Sequence, residues 1–231
     1  MGLHYLLQKQ GAFSMLEVHL EPGQKIKAES GAMVAMHPNL TVEGTLDGGI
    51  LGSLGRLMTG ESLFLQQIYA KNGAGTVFLA PTALGEILPL QLVSGQEYCI
   101  QKSGFLAAEQ SIEISPKVQN LMKGLFSGEG FFIIRASGNG HLFINSYGGI
   151  FELDVSKLGE VVVDNAHLVA WDSALDYSIE KASQGWISSF TSGEGLVCRF
   201  RGRGKVFVQT RNPASFAEFL APFLPKTNNA S

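Results

Sequence analysis

Three glutamates stand at matching places in the chain, and carboxylates suit both cation binding and proton transfer. Glu61, Glu129 and Glu194 each follow a glycine and lead into an apolar run, as in Gly60-Glu61-Ser62-Leu63-Phe64, Gly128-Glu129-Gly130-Phe131-Phe132 and Gly193-Glu194-Gly195-Leu196-Val197. If the segments they mark are related by symmetry, the three carboxylates fall on one ring. There they either accept hydrogen bonds from turn N–H groups or converge on a cation or polar ligand, which requires compensating positive charge. A basic run, Arg199, Arg201, Arg203 and Lys205, alternates with Phe200, Gly202 and Gly204. Alternation lays these charges on one strand face or around a hairpin tip. That describes a solvated hairpin or a weak site for RNA or acidic lipid.

Other chemistries find no footing. His4, His19, His37, His141 and His167 are scattered, with no i, i+2 or i, i+4 pair and no cysteine nearby, so no metal site is expected. Gly202-Arg203-Gly204-Lys205 ends in Val206 where a phosphate loop needs Ser or Thr, and no Gly-x-Gly carries the third glycine of a dinucleotide fingerprint. A Gly-x-Ser-x-Gly nucleophile elbow is absent. Cys99 and Cys198 lie in apolar runs far apart, which reads as two reduced, buried thiols of a cytoplasmic protein. Neither an enzyme nor a cofactor is therefore expected.

The elements that would position these residues are strands. Charged residues make up 16% of the 231-residue chain, well below the roughly 25% of an average domain, while 28 glycines and 15 phenylalanines point to many short strands and tight turns. The net charge of −3 gives no electrostatic reason for a nucleic-acid partner. The N-terminus lacks a signal-peptide pattern, and no stretch approaches the roughly 20 apolar residues of a spanning helix.

Internal repetition is the strongest signal. Gly-x-Gly before an apolar run occurs at Gly73-Ala74-Gly75, Gly138-Asn139-Gly140 and Gly202-Arg203-Gly204. Each copy opens on apolar/polar alternation, Leu16 to Leu20, Leu88 to Leu92 and Phe151 to Val155, the pattern of a half-buried strand. These strands are expected to enter hairpins with Gln24 to Ala28, Glu97 to Gln101 and Glu160 to Val163, and each copy is expected to close on a hairpin around Gly-x-Gly. One all-β domain over 1–225 follows, sandwich- or barrel-like, with pseudo-symmetric units over 16–81, 88–146 and 151–210. A single unit could not bury its apolar face alone. Asn212 and Pro213 announce a short C-terminal helix carrying Phe216, Phe219, Leu220 and Phe223. Residues 226–231 read as a disordered tail.

Between the strands lie three connectors that mix glycine with large apolar residues, among them Leu51, Leu54, Met58, Leu125, Phe126 and Trp186. They are either core or an apolar patch at one end of the molecule. Such a patch would serve self-association, as a dimer or trimer, or peripheral membrane contact.

The segments GGILGSLGRLMTGESLFLQQIYAKNGAGTVFLAPTALGEI, SGAMVAM and GEGLVCRFRGRGKVFVQTR resemble the family named after the yeast protein "altered inheritance of mitochondria". The resemblance covers nearly the whole chain. It implies an all-β fold of the type shared with the tryptophan RNA-binding attenuation protein, repeated within the chain, and it implies no enzyme. Members in eukaryotes are associated with mitochondrial inner-membrane organisation. Fold kinship with an RNA-binding ring does not transfer RNA binding, because function lives in sites. The expected role is that of a non-enzymatic structural or interaction protein that self-associates. A small-ligand or nucleic-acid binding module is the alternative.

Overall fold

A computed structural model describes residues 2–9, 11–46, 64–117, 133–181 and 196–225. The chain is all-β with a short C-terminal helix. After β1 (His4–Gln8) come six strands, β2 (Met15–Leu20), β3 (Lys25–Glu29), β4 (Met33–Met36), β5 (Leu40–Leu46), β6 (Phe64–Ala70) and β7 (Gly75–Leu79). The next six are β8 (Ile87–Leu92), β9 (Glu97–Gln101), β10 (Phe105–Glu109), β11 (Ile112–Lys117), β12 (Ile133–Gly138) and β13 (Gly140–Asn145). The last six are β14 (Ile150–Asp154), β15 (Glu160–Asp164), β16 (Leu168–Asp172), β17 (Asp176–Lys181), β18 (Leu196–Arg201) and β19 (Lys205–Gln209), with a one-turn helix α1 (Val155–Leu158) after β14. Helix α2 (Pro213–Leu220) follows β19.

The pairing rule is the same in each set of six. The first strand pairs with the sixth, as β2 with β7, β8 with β13 and β14 with β19. The third also pairs with the sixth, and each such pairing carries a register shift, between Met33 and Ala35, Phe105 and Ala107, and Leu168 and Ala170. The second and fourth strands both pair with the fifth. Each unit is thus two three-stranded layers facing one another.

This pairing corrects the expected hairpins. β2 and β3 do not pair; the turn at Pro22-Gly23 carries the chain from one layer to the other. The Gly-x-Gly segments are likewise corners and not hairpin turns, since β12 and β13 belong to different sheets. The glycines are needed for that corner. Gly138 has φ +135°, and a Cβ there would lie 2.4 Å from the Ser111 carbonyl oxygen. The hairpins within each unit are β5·β6, β11·β12 and β17·β18. Pro116 lies in β11, an edge strand, the place in a sheet where proline is tolerated.

Neighbouring units share sheets. The second strand of one unit pairs with the third strand of the next, β3 with β10 and β9 with β16. Two six-stranded sheets result, β5-β6-β3-β10-β13-β8 and β11-β12-β9-β16-β19-β14. They are flanked by β1-β2-β7-β4 at one end and β15-β18-β17 at the other. The cores interlock in the same way. The first unit's core of Leu16, Val18, Ile26, Ile68 and Val77 takes in Leu106 and Phe143 from the second unit. The second unit's core of Ile100, Phe105, Ile134 and Leu142 takes in Val169 and Phe207 from the third. Trp171 and Phe200 centre the third core, which takes in Cys99 and Ile133 from the second.

Shared cores predict cooperative unfolding. Leu106→Ala, which deletes a side chain that enters the neighbouring unit's core, is expected to destabilise by about 2–5 kcal/mol. Urea unfolding followed by tryptophan fluorescence and by far-UV circular dichroism should show one coincident transition. Two separated transitions would mean that the units do not fold as one domain.

Candidate functional site

Of the residues singled out in the sequence, Leu51, Leu54, Met58, Glu61, Leu125, Phe126, Glu129, Trp186 and Glu194 lie outside the described residues. Arg201 closes β18 and Arg203 sits at the exposed tip between β18 and β19.

The basic run is largely matched by carboxylates that the sequence places far away. β15 pairs with β18 so that Glu160 stands opposite Arg201. Arg201 Nε donates to Glu160 Oε2 at 2.6 Å, and Arg199 reaches the other oxygen of the same carboxylate. Arg199 Nε also reaches Glu180 Oε1 at 3.3 Å, and Ser178 Oγ donates to that oxygen at 2.8 Å. Lys205 Nζ is 2.9 Å from Glu152 Oε1 across β14·β19. Arg203 alone of the four has no ion pair among the described residues. The run is therefore an alternating-sign surface and not a basic groove, which weakens any claim on a polyanion.

The histidines serve local structure. His167 Nδ1 donates to the Gln209 carbonyl at 2.7 Å. His141 Nδ1 pairs with Glu109, whose Oε1 also accepts from the His141 N–H at 3.0 Å, and Tyr5 lies edge-on to the imidazole. His19 sits between Thr76 and Glu21 at 3.2 Å each. Among the described residues no three His, Cys, Asp or Glu side chains group as metal ligands. Cys99 and Cys198 are buried free thiols; burial, reinforced by Asp164, pushes the Cys198 thiol up to about 12, so it stays protonated.

Among the described residues a run of exposed apolar side chains stands where the sequence reading placed a helix without assigning it a role. Asn212 Oδ1 accepts from the Ala214 and Ser215 N–H groups at 2.8 and 3.4 Å, and Pro213 occupies the first turn. These fix the start of α2, yet none of its residues is buried. Phe216 leans on Tyr147 at 5.8 Å between ring centroids, and Phe219 and Phe223 extend the ladder outward at 6.5 and 5.7 Å. Phe219 is 64% and Phe223 74% exposed, and Leu224 beside them is also exposed. Under the helix runs a cleft of about 600 Å³ lined by Tyr147, His167, Arg211 and Phe216. The signal was present in the sequence as apolar residues at i, i+3 and i+7 across a short helix and the turn after it. Among the described residues no helix is long and apolar enough to cross a membrane.

Comparison with known proteins gives three findings. The family model described as mitochondrial biogenesis AIM24 matches residues 5–211. An uncharacterized protein of Streptococcus pyogenes serotype M6 is 34% identical over 235 residues, covering 98% of this chain and 93% of that protein. A crystal structure of a Streptococcus pyogenes protein superposes with a TM-score of 0.78 at 32% identity, covering 96% of this chain and 100% of that one.

The ionic cluster makes a pH prediction. Hydrogen bonds from Arg201 first, then Arg199, hold the Glu160 carboxyl below its ordinary range. A carboxylate depressed in the folded state stabilises above its unfolded pKa of about 4.3, and that contribution is lost as pH falls through the folded value. Glu160→Gln should therefore flatten the acid side of a plot of urea midpoint against pH, with its largest loss at neutral pH. An unchanged profile would show the cluster to be too well screened to matter.

Proposed function

The chain belongs to the mitochondrial biogenesis AIM24 family, and on that footing we propose that it is a cytoplasmic, non-enzymatic structural protein that acts by contact, with copies of itself and with a membrane surface. The observation that carries the membrane part is the exposed aromatic ladder of α2. A short helix with no buried residue, followed by a turn, that together expose Phe216, Phe219, Phe223 and Leu224, has the composition of an interfacial anchor. Aromatic rings are suited to the boundary between headgroups and acyl chains. Arg211 at the foot of the helix supplies a positive charge on the same side. The neutralised basic hairpin supports this reading over the nucleic-acid alternative, since it leaves no groove for a phosphate backbone.

Fully burying a phenylalanine is worth about 1.5–3 kcal/mol, and about 1.4 kcal/mol is tenfold in affinity. Sedimentation with vesicles of mixed zwitterionic and anionic lipid should therefore show partitioning that falls at least about tenfold in Phe219→Ser plus Phe223→Ser. Both positions are exposed, so the fold should survive. Absence of partitioning by the unsubstituted chain, or partitioning that the double substitution leaves unchanged, would reject the ladder as the anchor.

A further inference from the structure

Among the described residues, two strand edges lack the partner that their equivalents have. The rule joining units, second strand to third strand of the next, is satisfied twice, at β3·β10 and β9·β16. Applied a third time it would join β15, the second strand of the last unit, to β4, the third strand of the first. Instead β15 ends the three-stranded sheet β15-β18-β17, and β4 ends β1-β2-β7-β4.

The side chains at these edges are those of a buried junction. In the two formed junctions the residue at the register shift of the third strand enters the preceding unit's core: Leu106 is 0% exposed in the core of the first unit, and Val169 1% in that of the second. The equivalent in β4 is Val34, which has no preceding unit and is 59% exposed. Ala107 and Ala170 are fully buried where their equivalent Ala35 is exposed. On the other edge, Cys99 of β9 is 0% exposed, while Val162 at the same position of β15 is 36%. Five of the other six outer edges carry a charge or a proline that hinders pairing: β11 has Pro116 with Glu113, β17 Asp176 and Glu180, β8 Pro89, β5 Glu43 and β14 Glu152 and Asp154; β1, His-Tyr-Leu-Leu-Gln, has neither. β4 reads Met-Val-Ala-Met with no charge, and β15 keeps its two acids at its ends, Glu160, which is paired with Arg201 and Arg199, and Asp164, around an apolar Val-Val-Val middle.

We infer that the β15 edge of one copy of this chain pairs with the β4 edge of another, forming between copies the junction that β3·β10 and β9·β16 form within one. The two formed junctions set the register. Ala107 faces Ala28 and Glu109 faces Ile26; Ala170 faces Ile100 and Asp172 faces Tyr98. By position, Ala35 then faces Val163, Met36 faces Val162 and His37 faces Val161, antiparallel, and Val34 enters the partner's third core beside Trp171. The occupant is a second copy because each edge is the complement of the other and both lie on every chain. The contact is head-to-tail, so it either closes a ring of copies or continues as a row. The inference rests on the self-association in the proposed function and names the surface that performs it.

Sedimentation equilibrium on the full chain tests it, using Val34→Glu and Val162→Glu, two exposed positions whose substitution should leave the fold intact by far-UV circular dichroism. Each variant alone spoils every possible seam and should be a monomer, whereas the unsubstituted chain associates. An equimolar mixture should form a one-to-one dimer, since the first variant keeps a sound β15 and the second a sound β4. Variants that associate as the unsubstituted chain does would overturn the seam and leave self-association standing. A monomeric unsubstituted chain would overturn both. Should either variant misfold, Ala35→Cys plus Val163→Cys replaces it, the native thiols being buried. Oxidation should then give a ladder of covalently linked copies, and a disulfide formed only within one chain would overturn the inference.

Discussion

The structure depends on one recurring contact, the insertion of each unit's third strand between two cores. β10 and β16 are buried on both faces over four consecutive residues, Phe105 to Ala108 and Leu168 to Trp171. One face of each strand completes its own unit, and the other completes the unit before it. A half-buried antiparallel pair of layers is marginal by itself. Here the second unit is covered from both sides, and the chain reaches a continuous core without a closed barrel. The same contact makes the ends of the molecule unlike its middle, because β4 has no core before it.

Electrostatics arranges the surface around that frame. With few charges available, the third unit spends four acidic side chains, Glu152, Glu160, Glu180 and Asp154, next to Lys205, Arg199, Arg201 and Lys157. Surface pairs of this kind contribute little each. Their effect is to offset most of a basic stripe that would otherwise attract polyanions. Exposed apolar side chains include the aromatic ladder of Phe216, Phe219 and Phe223 and the edge valines Val34 of β4 and Val162 of β15. A helix end suits a fluid interface, and a strand edge suits a partner with its own free N–H and C=O groups.

Much of the fold was legible because its signals are local. Alternation at Leu16 to Leu20 marks a half-buried strand, and Asn212-Pro213 marks a helix start, whereas the alternation from Phe151 to Val155 marks a strand only as far as Asp154 and leaves Phe151 exposed. What alternation does not encode is the partner. β2 and β3 look like the arms of a hairpin in sequence, yet they pair with β7 and β6 about 40 to 60 residues away, because the chain changes layers between them. In sequence the Gly-x-Gly landmarks are expected to close hairpins; Gly73, Gly138, Gly140, Gly202 and Gly204 do adopt positive φ, but that dihedral serves a corner as well as a hairpin. The candidate site was less legible still. Arg201 looks free until β15 brings Glu160 opposite it from 41 residues upstream. Val34 and Val162 resemble any buried valine, and only comparison of three equivalent strands shows that these two lack cover.

Amide hydrogen exchange across β4, β10, β15 and β16, measured on the full chain at a concentration low enough to be monomeric, tests the open frame most directly. The amides of β10 and β16 should exchange only with global unfolding, while those of β4 and β15 that point away from β7 and β18 exchange far faster. Equal, slow exchange at all four strands in the monomer would mean that β15 meets β4 within one chain. The row of three units with two bare edges would then be wrong.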